Sequence, residues 1–228
     1  MLDKPVAKNL VIVFVRPLKP GTLKTRLSRE LGEADTLALY EAMVADVLQM
    51  AGRSNATTWL ALAEDGPVPK PWIAHKQVLQ RDEGVEGCTG LGARMVSAFA
   101  DAFAAGYERV CIIGSDCLLV TSDLLDAAFE AMDEPESVVV GPADDGGYYL
   151  IGMNDLMPEL FEGRMYSHAR VFEELLERVE EIDAQLVLLP PFSDIDTMSD
   201  LRTFVQREDR LTLPCNRVNQ WIEESWPS

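Results

Sequence analysis

Cysteine and histidine are scarce in this chain. Four cysteines (Cys88, Cys111, Cys117, Cys215) stand apart with no C-x-x-C pair, and only two histidines accompany them. That spacing argues against a zinc site or a disulfide framework and fits a reducing compartment. Positive charge is also short: 20 Lys and Arg face 38 Asp and Glu, for a formal net charge of -18. Nucleic-acid binding depends on neutralising phosphates over a broad surface, so this balance excludes a nucleic-acid partner. No apolar run approaches the roughly 18–20 residues that cross a bilayer, so no membrane span is expected. The opening MLDKPVAKN lacks the apolar core of a secretory signal, and the expected location is cytoplasmic. Internal repeats, low-complexity tracts and a domain-separating linker are missing as well.

What the chain does have is a regular alternation of short β-like runs with helical ones. Residues 10–15 (LVIVFV), 57–63, 78–79, 109–114, 137–140, 148–152 and 185–189 read as strands. A helix is expected at 34–51, with Leu37, Tyr40, Val44, Val47 and Leu48 near one face. Another is expected at 91–105, where Leu91, Met95, Phe99 and Phe103 recur every fourth residue before Gly106. Further helices are expected at 122–132 with Ser122 as N-cap, at 169–182 and at 198–207. Strands alternating with helices imply an α/β fold, Rossmann-like, with a mostly parallel sheet covered by helices on both faces. The 228 residues are read as one domain with its core at about 10–207 and a tail at 208–228. The tail carries Trp221 and Trp226; it is expected to pack against the body, with a homodimer contact as the alternative.

The sharpest charge anomaly follows the first strand. RPLKPGTLKTRLSR (16–29) holds five basic residues (Arg16, Lys19, Lys24, Arg26, Arg29) and no acid, and Pro17, Pro20 and Gly21 shape it into a loop before the chain turns helical. Fixed cations and backbone N–H groups at a helix start both favour a bound anion. In so acidic a chain the loop points to a small phosphate-bearing ligand; the competing reading is a solvated turn.

Three acidic segments pair with it. Gly114-Ser115-Asp116 ends the strand at 109–114, and in open α/β sheets ligands sit outside the carboxyl ends of strands. A carboxylate there, beside a diphosphate, suits Mg²⁺ or Mn²⁺, which take one or two carboxylates plus phosphate oxygens. Asp144-Asp145-Gly146-Gly147-Tyr148-Tyr149 reads either as a ligand-binding turn, with Asp145 as a base on an acceptor hydroxyl, or as a plain hairpin turn. Asp194-Ile195-Asp196-Thr197 offers Asp196 as a second metal ligand, or else Thr197 or Ser199 caps a helix that Asp200 favours electrostatically. His168, beside Ser167 before the acidic helix, reads as structural or as an acceptor-side base. Gly87, Gly90 and Gly92 punctuate the start of the 91–105 helix in the manner of a ligand-cradling loop.

Taken in order, PGTLKTRLSRELG (20–32), LGARMVSAF (91–99), GSDC (114–117), GPADDGGYYLIG (141–152) and DIDTMSDL (194–201) resemble the DUF2064-type proteins. These are glycosyltransferase-A-like members of the nucleotide-diphospho-sugar transferase superfamily, some of them arsenosugar-biosynthesis glycosyltransferases. The resemblance runs from about residue 10 to 204. It implies a nucleotide-sugar donor and a divalent cation, Mg or Mn. Arg16, Lys24 and Arg26 would meet the diphosphate, with Leu91 and Gly92 near the base or ribose. Asp116 would take the metal position at the strand end and a catalytic role, with Asp196 as second ligand. Asp145, Gly146, Gly147 and Tyr148 would line the sugar or acceptor side, where Asp145 and His168 are the candidate catalytic groups.

The chain departs from the family pattern in three places. Leu118 stands where a proline is expected, Gly90 where an Asp is expected, and Tyr166-Ser167-His168 where Trp-Ser-Thr is expected. The expected activity is a metal-dependent glycosyltransferase. The alternatives are a nucleotidylyltransferase coupling an NTP to a phosphorylated acceptor, and a non-catalytic nucleotide-sugar-binding module.

Overall fold

The computed structural model describes residues 8–66, 68–82, 86–166 and 168–226. The first seven residues, Pro67, residues 83–85, Ser167 and residues 227–228 lie outside them. Strand β1 (Asn9–Val15) is buried along almost its whole length, because its apolar residues serve two cores at once. Val11, Val13 and Val15 face one cluster while Leu10 and Ile12 face the other, the two-residue period of a strand covered on both faces. Around it lie β2 (Thr57–Leu62), β3 (Lys76–Leu79), β4 (Arg109–Ile113), β5 (Ser137–Pro142), β6 (Tyr148–Met153) and β7 (Gln185–Leu188). The seven form one sheet in the order β3-β2-β1-β4-β6-β5-β7. All pairings are parallel except those of β6, which runs antiparallel to β4 and β5. The expected mostly parallel α/β architecture is therefore present.

Seven α-helices cover the sheet among the described residues: α1 (Thr25–Leu31), α2 (Glu33–Ala51), α3 (Gly90–Ala104), α4 (Ser122–Glu130), α5 (Val171–Glu181), α6 (Met198–Val205) and α7 (Asn216–Ser225). Helices α2, α4, α6 and α7 pack on the face that holds Val11 and Val13; α3 and α5 pack on the other. The i+4 stripe of α3 buries Met95 and Phe99, while Leu91 at its first turn is 42% exposed.

Two boundaries differ from the sequence reading for local reasons. The N-cap of α4 is Thr121, not Ser122: its hydroxyl accepts the Leu124 N–H at 3.2 Å, and Ser122 is already helical. The tail forms α7, which lies on α2 with Val218, Trp221 and Ile222 buried. Asp46, buried in α2, accepts the backbone N–H groups of Arg217 and Val218 at 3.1 and 2.9 Å, so one helix caps the next.

Because β6 is antiparallel, the tip of the β5–β6 hairpin lies at the edge where β1, β4 and β7 end. Segments 16–24, 114–118, 143–147 and 189–197 all open onto that edge, and all four contain residues singled out from the sequence.

Candidate functional site

The basic loop is fixed at both ends. At its start, the Arg16 N–H donates to the Tyr40 hydroxyl at 3.0 Å, and that hydroxyl also meets Ser115 Oγ at 3.1 Å. Tyr40 is buried in α2, so one phenol links the end of β1 to the end of β4. At the loop's far end, Lys24 takes a left-handed conformation (φ 43°, ψ 51°) as the N-cap residue of α1. Leu23 and Leu27 on either side are buried, and this anchoring turns the Lys24 side chain inward.

Lys24 Nζ lies 2.6 Å from Asp116 Oδ2 and 3.3 Å from Asp196 Oδ1, with its side chain only 9% exposed. Arg26 Nη1 reaches the other Asp196 oxygen at 3.4 Å from a far more exposed position. The structure thus joins the two candidate metal ligands and two candidate phosphate ligands in one cluster drawn from three loops. Burial pulls the Lys24 pKa down, but Asp116 first, then Asp196 and Asp194, outweigh it and hold the ammonium above the usual lysine range.

Local chemistry explains how each carboxylate comes to the edge. Asp116 folds back over Gly114, where a Cβ would stand 2.8 Å from its Oδ1, so a larger residue there would push the carboxylate. The Asp116 carbonyl accepts the Ile195 N–H at 3.0 Å, tying the β4 end to segment 194–197. Asp196 precedes a full capping box. Thr197 Oγ1 accepts the Asp200 N–H at 3.2 Å, and Asp200 Oδ2 takes the Thr197 N–H at 2.7 Å. Asp200 is thereby accounted for as a cap, and Asp196 is left facing Lys24.

Asp194 is the residue of this segment that the sequence reading left without a role at the site. Its pKa is pushed up to about 6, by burial first and by Asp116 next, with Asp145 adding to it and Lys24 opposing. The hairpin tip therefore lies within the field of the same cluster. The local signal for Asp194 was its place two residues before Asp196, which a helix-start reading also explained.

The hairpin turn itself is built for packing. Asp145 Oδ1 accepts the Gly147 N–H at 2.9 Å, and Gly146 sits at φ 89°. A Cβ on Gly146 would come within 2.1 Å of the Ala169 carbonyl oxygen, and the Gly146 carbonyl accepts the Phe172 N–H at 2.8 Å. Only glycine fits both demands, and the hairpin tip is thus locked to the start of α5.

The remaining candidates lie on the α3 face of the same edge. Tyr148 donates its hydroxyl to Met95 Sδ at 3.7 Å. Gly92 packs against the Tyr166 ring, 3.1 Å from where its Cβ would be. His168 Nδ1 accepts the Arg170 N–H at 3.2 Å, so Nε2 is the donor to the Met165 carbonyl at 2.9 Å. Both imidazole nitrogens bond within their own loop, with Nε2 also 3.8 Å from Glu174 Oε2 of α5, and none of these contacts reaches the Lys24 cluster.

Among the described residues, no three or more His, Cys, Asp and Glu side chains are grouped to hold a metal ion. The donor set at Asp116 and Asp196 fits a cation that shares its coordination with phosphate oxygens rather than an all-protein cage.

The profile of the DUF2064 family, described as an uncharacterised protein conserved in bacteria, matches residues 40–168. Among solved structures, a candidate nucleotide-diphospho-sugar transferase from Desulfovibrio desulfuricans G20 is 28% identical, with 96% of each chain covered and a TM-score of 0.82. Glucosyl-3-phosphoglycerate synthase from Mycobacterium tuberculosis, solved with Mn²⁺, UDP and phosphoglyceric acid, is 11% identical. It covers 92% of this chain and 78% of its own, with a TM-score of 0.51. The 4-diphosphocytidyl-2C-methyl-D-erythritol synthase from Anaerococcus prevotii DSM 20548 is likewise 11% identical, covering 87% of this chain and 96% of its own, with a TM-score of 0.52. The last two likenesses are of fold. No curated protein matches the sequence.

Proposed function

We propose, from the premise that the chain belongs to the DUF2064 family, that it is a transferase using a nucleoside-diphosphate sugar as donor. The observation that carries this reading is the meeting of Lys24, Asp116 and Asp196 at the carboxyl edge of the sheet. Lys24 and Arg26 meet the diphosphate, and Arg16 extends the same basic loop. Asp116 and Asp196 hold a divalent cation, Mg or Mn, together with phosphate oxygens. When bound, that cation supplies further positive charge to the departing nucleoside diphosphate. The chain's own contribution is the pair of cationic side chains, Lys24 and Arg26, that meet the negative charge developing on the leaving group, an electrostatic stabilisation.

Leu91 and Gly92 lie toward the base or ribose, on the face of the edge opposite the phosphate residues. Asp145, Gly146, Gly147 and Tyr148 form the sugar and acceptor side. Of the two candidate bases, Asp145 suits an acceptor proton better than His168, whose ring nitrogens are both engaged. Asp145 is exposed, and only its Oδ1 takes part in the described hydrogen bonds.

The test is calorimetry of UDP-, GDP-, CDP- and ADP-sugars with and without Mn²⁺, on the natural chain and on Asp116→Asn. The variant is expected to lose Mn²⁺-dependent binding of the preferred donor. Unchanged metal-dependent affinity removes Asp116 from the site. Release of a nucleoside diphosphate from the sugar nucleotide marks the glycosyl-transfer reaction. Release of pyrophosphate from an NTP and a sugar phosphate assigns the chain to nucleotidyl transfer instead.

A further inference from the structure

A lysine that binds phosphate has no need of two carboxylates, yet Lys24 is paired with both residues proposed to hold the cation. Its ammonium stands between Asp116 at 2.6 Å and Asp196 at 3.3 Å, contributed by loops 92 and 172 residues away. The side chain is nearly sequestered, and the backbone that aims it inward is left-handed at φ 43°. Non-glycine residues hold that conformation at a cost, and it persists where the surroundings over-determine it. Here the surroundings are the two ion pairs and the buried Leu23 and Leu27 beside them. Arg26, by contrast, meets Asp196 from solvent with its side chain 73% exposed.

We propose that Lys24 is the resident counter-ion of Asp116 and Asp196, and that a bound diphosphate draws its ammonium away and so frees the two carboxylates for the divalent cation. The inference rests on the donor reading above and deepens it. Without nucleotide, this internal cation offsets part of the acidic pair's charge and competes with metal for the same oxygens. With nucleotide, Lys24 exchanges carboxylate for phosphate, and the divalent cation replaces it. Metal and diphosphate therefore bind with positive coupling, each raising the affinity for the other by the same factor. No covalent step is involved; the exchange is of ion pairs alone.

The experiment is Mn²⁺ titration in the absence of any nucleotide, by calorimetry and by thermal melting against an EDTA baseline. Lys24→Met is expected to bind Mn²⁺ more tightly than the natural chain, by about 5–150-fold, the usual span of coupling between sites. It should also melt lower in EDTA and gain more from Mn²⁺, because its acidic pair has lost its counter-ion. Lys24→Gln, which keeps a hydrogen-bond donor for the carboxylates, shows the same direction if the methionine variant fails to fold. Adding Asp116→Asn to either background removes the gain, which places the metal at this pair.

Unchanged or weaker Mn²⁺ affinity in Lys24→Met and Lys24→Gln overturns the counter-ion role. That outcome is separable from failure of the donor reading, because the titration contains metal alone. A gain in Mn²⁺ affinity with no sugar-nucleotide binding sinks the donor reading and leaves the counter-ion standing. Mn²⁺-dependent donor binding without the gain does the reverse.

Discussion

At Tyr40 one hydroxyl accepts the Arg16 N–H and meets Ser115 Oγ, so the loops that carry Lys24 and Asp116 share a single buried anchor. Burial raises the pKa of this phenol, with the hydrogen bonds to Ser115 and Arg16 opposing, so it stays protonated and can donate to Ser115 while accepting from Arg16. Tyr40→Phe deletes the anchor without changing ring volume and leaves a backbone donor unpaired. A loss of about 1–2 kcal/mol is expected in urea unfolding, along with weaker binding of the proposed nucleotide-sugar donor. Unchanged stability and affinity would show that the two loops hold their places without it. Periodicity along α2 placed Tyr40 on the buried face but carried no sign of this role, because the partners of its hydroxyl are 24 and 75 residues away. Lys24, Asp116 and Asp196 were legible for a different reason: each is a charged residue just past a strand or before a helix, where burial is unusual. Their pairing was not legible, since no local pattern shows which acid a lysine will meet across the sheet edge.

Helix α7 shows the same contrast one level up. Strands β1, β2, β4, β5 and β6 announce themselves as apolar runs because both faces of the sheet are covered. Helix α7 buries Val218, Trp221 and Ile222 at i, i+3 and i+4, but its cap is a carboxylate on α2 rather than a neighbouring residue. Asp46 is therefore as much a part of α7 as its own first turn. Burial raises the Asp46 pKa, and the N–H groups of Val218 and Arg217 only partly oppose that rise. The folded chain then keeps this proton to higher pH than the unfolded chain does, so the group's contribution to stability falls as pH rises from about 4 and levels off above its folded pKa. In urea unfolding from pH 4 to 7, the natural chain should lose stability relative to Asp46→Asn as pH increases. Parallel pH curves for the two proteins would show that Asp46 does not titrate in this way. The tail's two tryptophans suggested packing against the body, but the remote cap is not visible in the local pattern of residues 208–228.

Over the whole molecule, 38 acids against 20 bases set up a repulsion that most described ion pairs, lying at the surface, do little to offset. Raising NaCl from 0.05 to about 0.5 M shortens the Debye length from more than 10 Å to less than 8 Å. The melting temperature should rise, by about 2–4 °C for each kcal/mol of repulsion relieved in a chain of this size. A fall on adding salt would mean that the attractive pairs outweigh the net charge. The sheet order was only half legible: alternation foretold parallel strands, but the reversal of β6 depends on a hairpin turn whose Asp-Gly chemistry also suited a ligand loop. That topology has a consequence in time. Lys24 and Asp196 are 172 residues apart, and the segment bearing Asp196 follows β7, the strand at the far edge of the sheet. During synthesis the basic loop is thus made first and waits for Asp196 until a further 172 residues have followed. A growing chain arrested between residues 116 and 196 has only Asp116 to offer Lys24, and the ion pair to Asp196 is the last of the cluster to form.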